Sequence, residues 1–119
     1  MKKTVLIIER DRDIREVVTL ILTDQGLNVI ELDSEQDALE SIIKMQPDCV
    51  ILDLQNPTEE GAKLCMEINQ HPETKDIPVI ALSTHPRAVE LKGTCANEVL
   101  GKPFDIDALI EIVESQLAD

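Results

Sequence analysis

The sequence has almost no aromatic residues: it contains one Phe and neither Trp nor Tyr. Because 43% of its residues are hydrophobic, its core must be aliphatic. A core of Val, Ile and Leu favours a buried parallel sheet over a β-sandwich. The absence of an aromatic platform also argues against a flavin-binding electron carrier, since Phe104 is the single candidate ring.

Basic residues are also scarce. Lys and Arg total 11 against 24 Asp and Glu, which gives a formal net charge of −13. Such a surface repels phosphate backbones and anionic lipids, so we expect no nucleic-acid partner and no membrane partner. The apolar runs are short and the N-terminus leads directly into a predicted strand, which argues against a transmembrane span or signal peptide. A cytoplasmic location is expected.

Cysteine and histidine are too few and too scattered to predict a metal site. Cys49, Cys65 and Cys95 lie far apart and form no Cys-x-x-Cys pair, so we expect reduced structural thiols. His71 and His85 each precede a Pro in a predicted loop, without a second ligand at metal-binding spacing. Both histidines are expected to be solvated.

The hydrophobic pattern alternates between short apolar runs and helical periodicity, over a length that suits one domain. The predicted strands span residues 5–8, 27–32, 49–52, 77–82 and 98–100. A predicted helix follows each strand, and the fourth, around residues 87–91, is short. Residues 34–37 (Ser-Glu-Gln-Asp) resemble a capping box, and Thr58 and Asp105 are predicted to begin the third and fifth helices. The pattern predicts an α/β fold, a doubly wound parallel sheet with helices on both faces.

Ligands of such sheets bind beyond the carboxyl ends of the strands. The sequence places there Glu9, Arg10 and Asp11 after the first strand, Asp53 after the third, Ser83 and Thr84 after the fourth, and Lys102 after the fifth. A carboxylate, a hydroxyl and an amine in one crevice suit phosphoryl transfer: Asp53 attacks phosphorus, Ser83 binds the phosphoryl oxygens and Lys102 offsets their charge. Taken singly, each has an ordinary structural interpretation, as a strand end, a cap and a solvated lysine. Those interpretations leave the joint order and spacing unexplained.

Three segments resemble the signature regions of the receiver domain of two-component response regulators. They are PDCVILDLQNPTEEG (47–61), IPVIALST (77–84) and GKPFDIDALI (101–110), and the resemblance covers essentially the whole chain. It implies a flavodoxin-like fold with strand order 2-1-3-4-5. It implies a signalling module rather than an enzyme, which receives a phosphoryl group from a histidine kinase or phosphotransfer protein and then contacts an unidentified downstream protein.

The same resemblance assigns roles to individual residues. Asp53 is the phosphoacceptor, Ser83 is the switch hydroxyl with Thr84 beside it, and Lys102 is the phosphate-contacting amine. Pro103 is expected to follow a cis peptide bond, a geometry that proline tolerates far better than other residues. Pro57 and Gly61 are expected to shape the loop after Asp53 rather than to take part in chemistry.

The first departure from the family concerns the acids that hold Mg²⁺. The implied ligands are Glu9, Asp53 and the backbone carbonyl of Gln55, but Arg10 replaces the inner acid that would bind the metal directly. Because Arg cannot ligate a cation, Mg²⁺ binding is expected to be weak or absent. Arg10 is expected to turn inward, to pair with Glu9 or Asp53 and to stand in for the metal.

The alternative for Arg10 is an outward side chain paired with Asp11 or Asp13.

Two further departures are Val99, where receivers usually carry Tyr or Phe, and a shortened run between Ser83 and Lys102. The chain also ends about where the fifth helix should end, which predicts a single receiver domain over residues 1–119 without an output domain.

Two functions remain open. One is a receiver that accepts phosphate on Asp53, in an impaired or atypical way. The other is a pseudo-receiver, a protein-binding module that signals without phosphorylation. The intact Asp53, Ser83 and Lys102 favour the first, whereas Arg10, Val99 and the shortened fourth helix favour the second.

Overall fold

The computed structural model describes residues 2–54 and 60–118, and its five strands form one parallel sheet. The strands are β1 (Thr4–Ile8), β2 (Asn28–Leu32), β3 (Cys49–Asp53), β4 (Val79–Ser83) and β5 (Glu98–Gly101). The helices are α1 (Arg12–Asp24), α2 (Ala38–Met45), α3 (Glu60–Gln70), a 3₁₀ helix (Pro86–Leu91) and α4 (Ile106–Leu117). The strand order β2-β1-β3-β4-β5 confirms the predicted topology.

Both faces of the sheet are buried, because alternate side chains of each strand point to opposite sides. One face packs with α2 and α3, and the other packs with α1 and α4. The first face contains Leu6, Ile8, Val50, Leu52, Val79 and Ala81. The second face contains Val5, Ile7, Cys49, Ile51, Ile80 and Leu82. Every residue of β3 is buried, so this strand is the centre of a mainly aliphatic core, against which Phe104 packs as a partly buried ring.

The boundaries of α1 follow directly from the sequence. The side chain of Asp11 accepts hydrogen bonds from the backbone N–H groups of Asp13 and Ile14, at 2.9 and 3.1 Å, and so caps the helix. At the other end Gly26 adopts a φ of 86°, a left-handed conformation that glycine tolerates without strain. The fifth predicted helix, α4, has Asp105 at its N-cap position, as expected.

The predicted capping box before α2 is wrong. The Oγ atom of Ser34 accepts a hydrogen bond from the N–H of Gln36, two residues later, rather than from the first turn of a helix. The helix begins only at Ala38, after Asp37 in a left-handed conformation with a φ of 58°. Ser34 therefore stabilises a local turn, a role that serine hydroxyls often have. Pro57, which was expected to shape the loop after Asp53, and the predicted cap Thr58 lie outside the described residues.

The connection between β4 and β5 contains a single 3₁₀ helix, Pro86–Leu91, which confirms the prediction of a short fourth helix. Asn97 fixes the far end of this connection. Its side-chain oxygen accepts from the backbone N–H of Val79 at 2.8 Å, and its own N–H donates to the carbonyl of Val79 at 2.8 Å. In the described part of the chain, no helix is long and apolar enough to cross a membrane.

The prediction of three reduced thiols is wrong for two of them. Cys65 of α3 and Cys95, which precedes β5, form a disulfide with a Cα–Cα distance of 5.6 Å. Their separation of 30 residues gave no indication of this contact, which only the tertiary fold creates. Cys49 is free and buried as expected. Burial, together with the charge of Asp48, raises the pKa of its thiol to about 12, so Cys49 is unreactive at neutral pH.

Candidate functional site

The sheet register brings the predicted phosphoryl-transfer residues to one edge. Asp53 is the last residue of β3 and pairs in register with Leu82, so Ser83 extends one position beyond it. Ser83 in turn pairs with Gly101. Lys102 follows, and its backbone N–H donates to the carbonyl of Ser83 at 2.9 Å. The carboxyl ends of three adjacent strands therefore present a carboxylate, a hydroxyl and an amine together.

The Lys102 side chain connects two acids across this edge. Its Nζ donates to Oδ1 of Asp53 at 2.7 Å and to Oε1 of Glu9 at 2.7 Å. Asp53 is 5% exposed and Glu9 is 1% exposed, so water screens these contacts poorly. Lys102 is thus the cation between the two carboxylates that were expected to hold Mg²⁺.

Glu9 is held from several sides. Its Oε2 accepts from the backbone N–H of Asp11 at 3.2 Å, and its backbone carbonyl accepts from Nη1 of Arg15 at 2.8 Å. Its own N–H donates to the carbonyl of Leu32 at 3.1 Å, which extends the pairing of β1 with β2. Both carboxylate oxygens of Glu9 are therefore bonded, and the side chain is fixed in the site.

The site contains two carboxylates and one ammonium, and this imbalance affects their ionisation. Burial and then the neighbouring Asp53 raise the pKa of Glu9, and the opposing effect of Lys102 does not cancel them. Burial alone would lower the pKa of Lys102, but its hydrogen bonds and charge interactions with Asp53 and Glu9 outweigh burial, and the net shift is upward. Lys102 therefore stays charged at neutral pH.

The hydroxyl residues after β4 have different environments. Ser83 is 3% exposed and its Oγ accepts from the backbone N–H of His85 at 2.9 Å, which leaves its hydroxyl hydrogen to turn towards an anion. Thr84 is exposed, one residue beyond the strand. On the other side of Lys102, the Lys102–Pro103 peptide bond is cis, as predicted.

Arg10 does not have the predicted position. Its guanidinium lies 2.5 Å from Oε2 of Glu35 and 3.7 Å from Oε2 of Glu60, and its side chain is 53% exposed. The expected inward pairing with Glu9 or Asp53 is wrong, because Lys102 already holds both of those carboxylates. The outward alternative named the wrong partners, since Asp11 caps α1 and the carboxylate that Arg10 meets comes from the connection between β2 and α2.

Sequence reasoning missed two residues around the site, Glu35 and Arg15. Glu35 follows β2 at the same edge of the sheet, so the rule that identified Asp53 and Lys102 would have found it if applied to the second strand. Arg15 had a weaker signal. It lies early in α1, where side chains lean towards the N-terminus of the helix and can reach the end of β1.

The donor set fits a divalent cation poorly. In residues 2–54 and 60–118, no group of three or more His, Cys, Asp or Glu side chains is arranged to hold a metal ion. Glu9 and Asp53 supply two carboxylates, but an ammonium already bonds both of them, and Mg²⁺ requires near-octahedral oxygen coordination. The backbone carbonyl of Gln55 lies outside the described residues.

Gly61, in the first turn of α3, has the structural role that was expected. A Cβ atom at this position would lie 2.6 Å from Cδ2 of Leu54 and 3.1 Å from the carbonyl oxygen of Asp53. The helix therefore passes so close to the last residue of β3 and to the Leu54 side chain that only glycine fits without movement of its neighbours.

Comparison with known proteins agrees with this geometry. The family model described as the response regulator receiver domain matches residues 5–114. The transcriptional regulatory protein KdpE of Staphylococcus aureus is 33% identical over 120 residues, which cover 96% of this chain and 51% of KdpE. The phosphate regulon transcriptional regulatory protein PhoB of Escherichia coli is 25% identical over 97% of this chain and 52% of its own length. The chain thus spans about half the length of these relatives.

Solved structures give the same result for the fold. A putative response regulator from Chloroflexus aurantiacus superposes with a TM-score of 0.91 at 33% identity and covers 100% of both chains. The chemotaxis response regulator CheY4 of Vibrio cholerae superposes with a TM-score of 0.87 at 25% identity, over 98% of this chain and 100% of CheY4. The strand order, the convergent site and these similarities lead to one conclusion: the chain belongs to the response regulator receiver domain family.

Proposed function

We propose that this receiver domain accepts a phosphoryl group on Asp53 from a histidine kinase or a phosphotransfer protein. The observation that supports the proposal is the pair of 2.7 Å contacts from Lys102 to Asp53 and Glu9, at the carboxyl ends of β3 and β5. The ammonium of Lys102 lies against the buried carboxylate of Asp53, and this carboxylate is the nucleophile.

The transfer needs one bond to form and one to break. Oδ1 of Asp53 is bonded to Lys102, so Oδ2 attacks the phosphorus of the donor phosphohistidine. The new O–P bond gives an acyl phosphate, and the N–P bond breaks with its electron pair left on the imidazole nitrogen. Lys102 offsets charge on the phosphoryl oxygens, and the hydroxyl of Ser83 donates a hydrogen bond to one of them.

We further propose that this reaction is slow and depends little on Mg²⁺. Arg10 occupies the sequence position of the inner acid, and Lys102 bonds both remaining carboxylates. A single ammonium carries half the charge of Mg²⁺ and cannot bridge the attacking and leaving groups as a metal does. We place the domain in the cytoplasm, where it then binds a downstream protein through its surface. Because the chain carries a net charge of −13, this surface favours a basic partner. No nucleic-acid or membrane partner is proposed.

The second candidate function is a pseudo-receiver that binds its partner without phosphorylation. The same Lys102 bridge favours it, because an internal cation already neutralises Asp53 before any phosphoryl group arrives. In this case the unphosphorylated conformation would be the signalling one.

Intact-mass measurement after incubation with acetyl phosphate, with and without Mg²⁺, separates the two functions. We expect one added phosphoryl group in the wild type, slowly formed and similar in both conditions, and none in Asp53→Asn. A wild type that stays unmodified over the whole time course would exclude the phosphoacceptor function and leave the pseudo-receiver.

A further inference from the structure

The disulfide joins α3 to the short segment before β5, here called the 92–97 segment. Cys65 lies in the middle of α3 and is 0% exposed, and Cys95 is 3% exposed. The Cα–Cα distance of 5.6 Å is in the usual range for a disulfide, so neither backbone must move to allow the bond. The bond therefore connects two elements that the fold already holds side by side.

The 92–97 segment has few other attachments to α3. Its turn is closed mainly by local backbone bonds, from Cys95 and Ala96 to the carbonyl of Leu91 and from Gly93 to that of Ala96. Beyond the packing of Cys95 and Ala96, an exposed hydrogen bond links it to α3, from Nδ2 of Asn69 to the carbonyl of Thr94 at 3.3 Å. The covalent bond is the strongest of these attachments.

This segment lies between two residues of the site. The chain passes from Ser83 through the 3₁₀ helix and the 92–97 segment into β5, which ends just before Lys102. His85 couples the first part of this route. Its N–H donates to Oγ of Ser83 and its Nδ1 accepts from the N–H of Arg87, at the start of the 3₁₀ helix. If the 92–97 segment becomes more mobile, the 3₁₀ helix and His85 would therefore transmit this change to the hydroxyl of Ser83, which would bind the phosphoryl group.

We propose that the Cys65–Cys95 disulfide is a redox-sensitive tether, which a dithiol reductant opens to loosen the segment between β4 and β5 and change the reactivity of Asp53. The proposal of a tether is argued from the structure and does not depend on the proposed function. Its effect on Asp53 rests on the proposed phosphoacceptor function. Disulfides of cytoplasmic proteins are usually transient and redox-sensing, which fits the proposed location.

The reduction follows ordinary thiol–disulfide exchange. Lys92, Gly93 and Thr94 are exposed, and local opening of this turn uncovers the sulfur of Cys95. A thiolate of the reductant attacks that sulfur, the S–S bond breaks, and Cys65 leaves as a thiolate that takes up a proton. The second thiol of the reductant then attacks the mixed disulfide and releases Cys95 as a thiol. The two sulfurs of the dithiol end as a disulfide, so two electrons and two protons have moved to the protein.

The experiment uses the full chain carrying Cys49→Ser, which leaves Cys65 and Cys95 as its cysteines. Air-oxidised protein is treated with dithiothreitol without denaturant, and intact mass and amide hydrogen exchange are measured. We expect a gain of two hydrogen atoms, and exchange in residues 86–97 that is about tenfold faster while α1 and β3 are unchanged. Asn69→Ala should be reduced faster, whereas Gln70→Ala, an exposed neighbour on α3, should not.

Three outcomes would overturn the tether: an air-oxidised protein without the disulfide, unchanged exchange after reduction, or loss of protection throughout the chain. The oxidised and reduced forms of the same Cys49→Ser protein are compared, so the test does not depend on the folding of a Cys65→Ser/Cys95→Ser variant. A second arm measures acetyl phosphate labelling of Asp53 in both states, and we expect rates that differ by about threefold. Equal rates would overturn the regulatory effect. No labelling in either state, with the exchange result intact, would refute the phosphoacceptor function and with it the regulatory effect, and leave the tether.

Discussion

The ammonium nitrogen of Lys102 lies 2.7 Å from Oδ1 of Asp53, and the same nitrogen lies 2.7 Å from Oε1 of Glu9. One cation thus joins the end of β5 to the ends of β1 and β3. Because both acids are buried, neither can turn to water if the cation is lost. The contact is therefore both a chemical and a structural element of the site, and its removal should affect stability as well as reactivity.

Lys102→Met should lower the free energy of unfolding by about 3 kcal/mol at neutral pH, because two buried carboxylates then face each other without a cation. Urea denaturation followed by circular dichroism measures the change. Lys75→Met is the matched control, since Lys75 is exposed, and it should change stability by less than about 0.5 kcal/mol. A similar stability for both variants would mean that the bridge contributes little to the fold.

Glu9→Gln should alter the pH dependence of stability in a defined direction. The pKa of Glu9 in the folded protein is raised above its ordinary value of 4.5, mainly by burial, so the folded state holds this proton more tightly than the unfolded state does. Relative to Glu9→Gln, the wild type should therefore lose stability as the pH rises from the ordinary value through the raised one.

Melting temperatures of both proteins in chelator-treated buffers between about pH 4 and pH 8 measure this difference. Glu16→Gln serves as the control, because Glu16 is exposed and pairs with Arg12 on the surface of α1. The opposite trend, in which the wild type gains stability relative to Glu9→Gln as the pH rises, would show that Lys102 lowers the pKa of Glu9.

Ile51→Asp should prevent folding, because Ile51 is 0% exposed in the central strand of the sheet. An unpaired charge there costs several kcal/mol, against a total stability of about 5–15 kcal/mol for a domain of this size. Leu20→Asp is the control on α1, where the side chain is 71% exposed and little should change. A folded Ile51→Asp protein with native circular dichroism would contradict the described core.

The alternation of strands and helices and the convergent edge could be predicted because they depend on local patterns, whereas the strand order was implied only by the resemblance to receiver domains. Short apolar runs such as 49–52 indicate buried strands, and polar residues directly after them, such as Asp53 and Lys102, must meet where parallel strands end. The same reasoning identified Asp11 only as one of several acids, although its side chain caps α1. The positions of these residues in the sequence thus predicted where the site lies, but they did not predict the role of every residue in it.

Apart from the local capping box at residues 34–37, the errors concern contacts between residues that are distant in sequence. Arg10 could have met any of several carboxylates, and Glu35 is its partner because Lys102 occupies the two predicted ones. The disulfide was missed for a similar reason, since Cys65 and Cys95 meet only after α3 packs beside the short connection to β5. In both cases the answer depends on the tertiary arrangement, which periodicity and spacing do not contain.

The position of Arg10 gives the most direct test of metal dependence. Its guanidinium pairs with Glu35, yet it remains close enough to Asp53 for the two charges to interact. A divalent cation at Asp53 would therefore be repelled by both Arg10 and Lys102, and no acid at position 10 compensates. We expect that the wild type shows no saturable Mg²⁺ binding at about millimolar concentrations. A site rich in carboxylates would be saturated at such concentrations.

Arg10→Asp should create Mg²⁺ binding and make labelling by acetyl phosphate both faster and Mg²⁺-dependent, because it removes a positive charge and supplies a carboxylate at the inner position. Arg10→Gln separates these two effects, since it removes the charge without adding an anionic ligand, and it should bind Mg²⁺ more weakly than Arg10→Asp. Arg12→Asp makes the same change of charge in an exposed residue that pairs with Glu16, and should leave Mg²⁺ binding as in the wild type. Isothermal titration with Mg²⁺ measures all four proteins. If wild type and Arg10→Asp bind Mg²⁺ with comparable affinity, Arg10 does not control the metal site, and the slow, metal-independent reaction proposed for Asp53 is wrong.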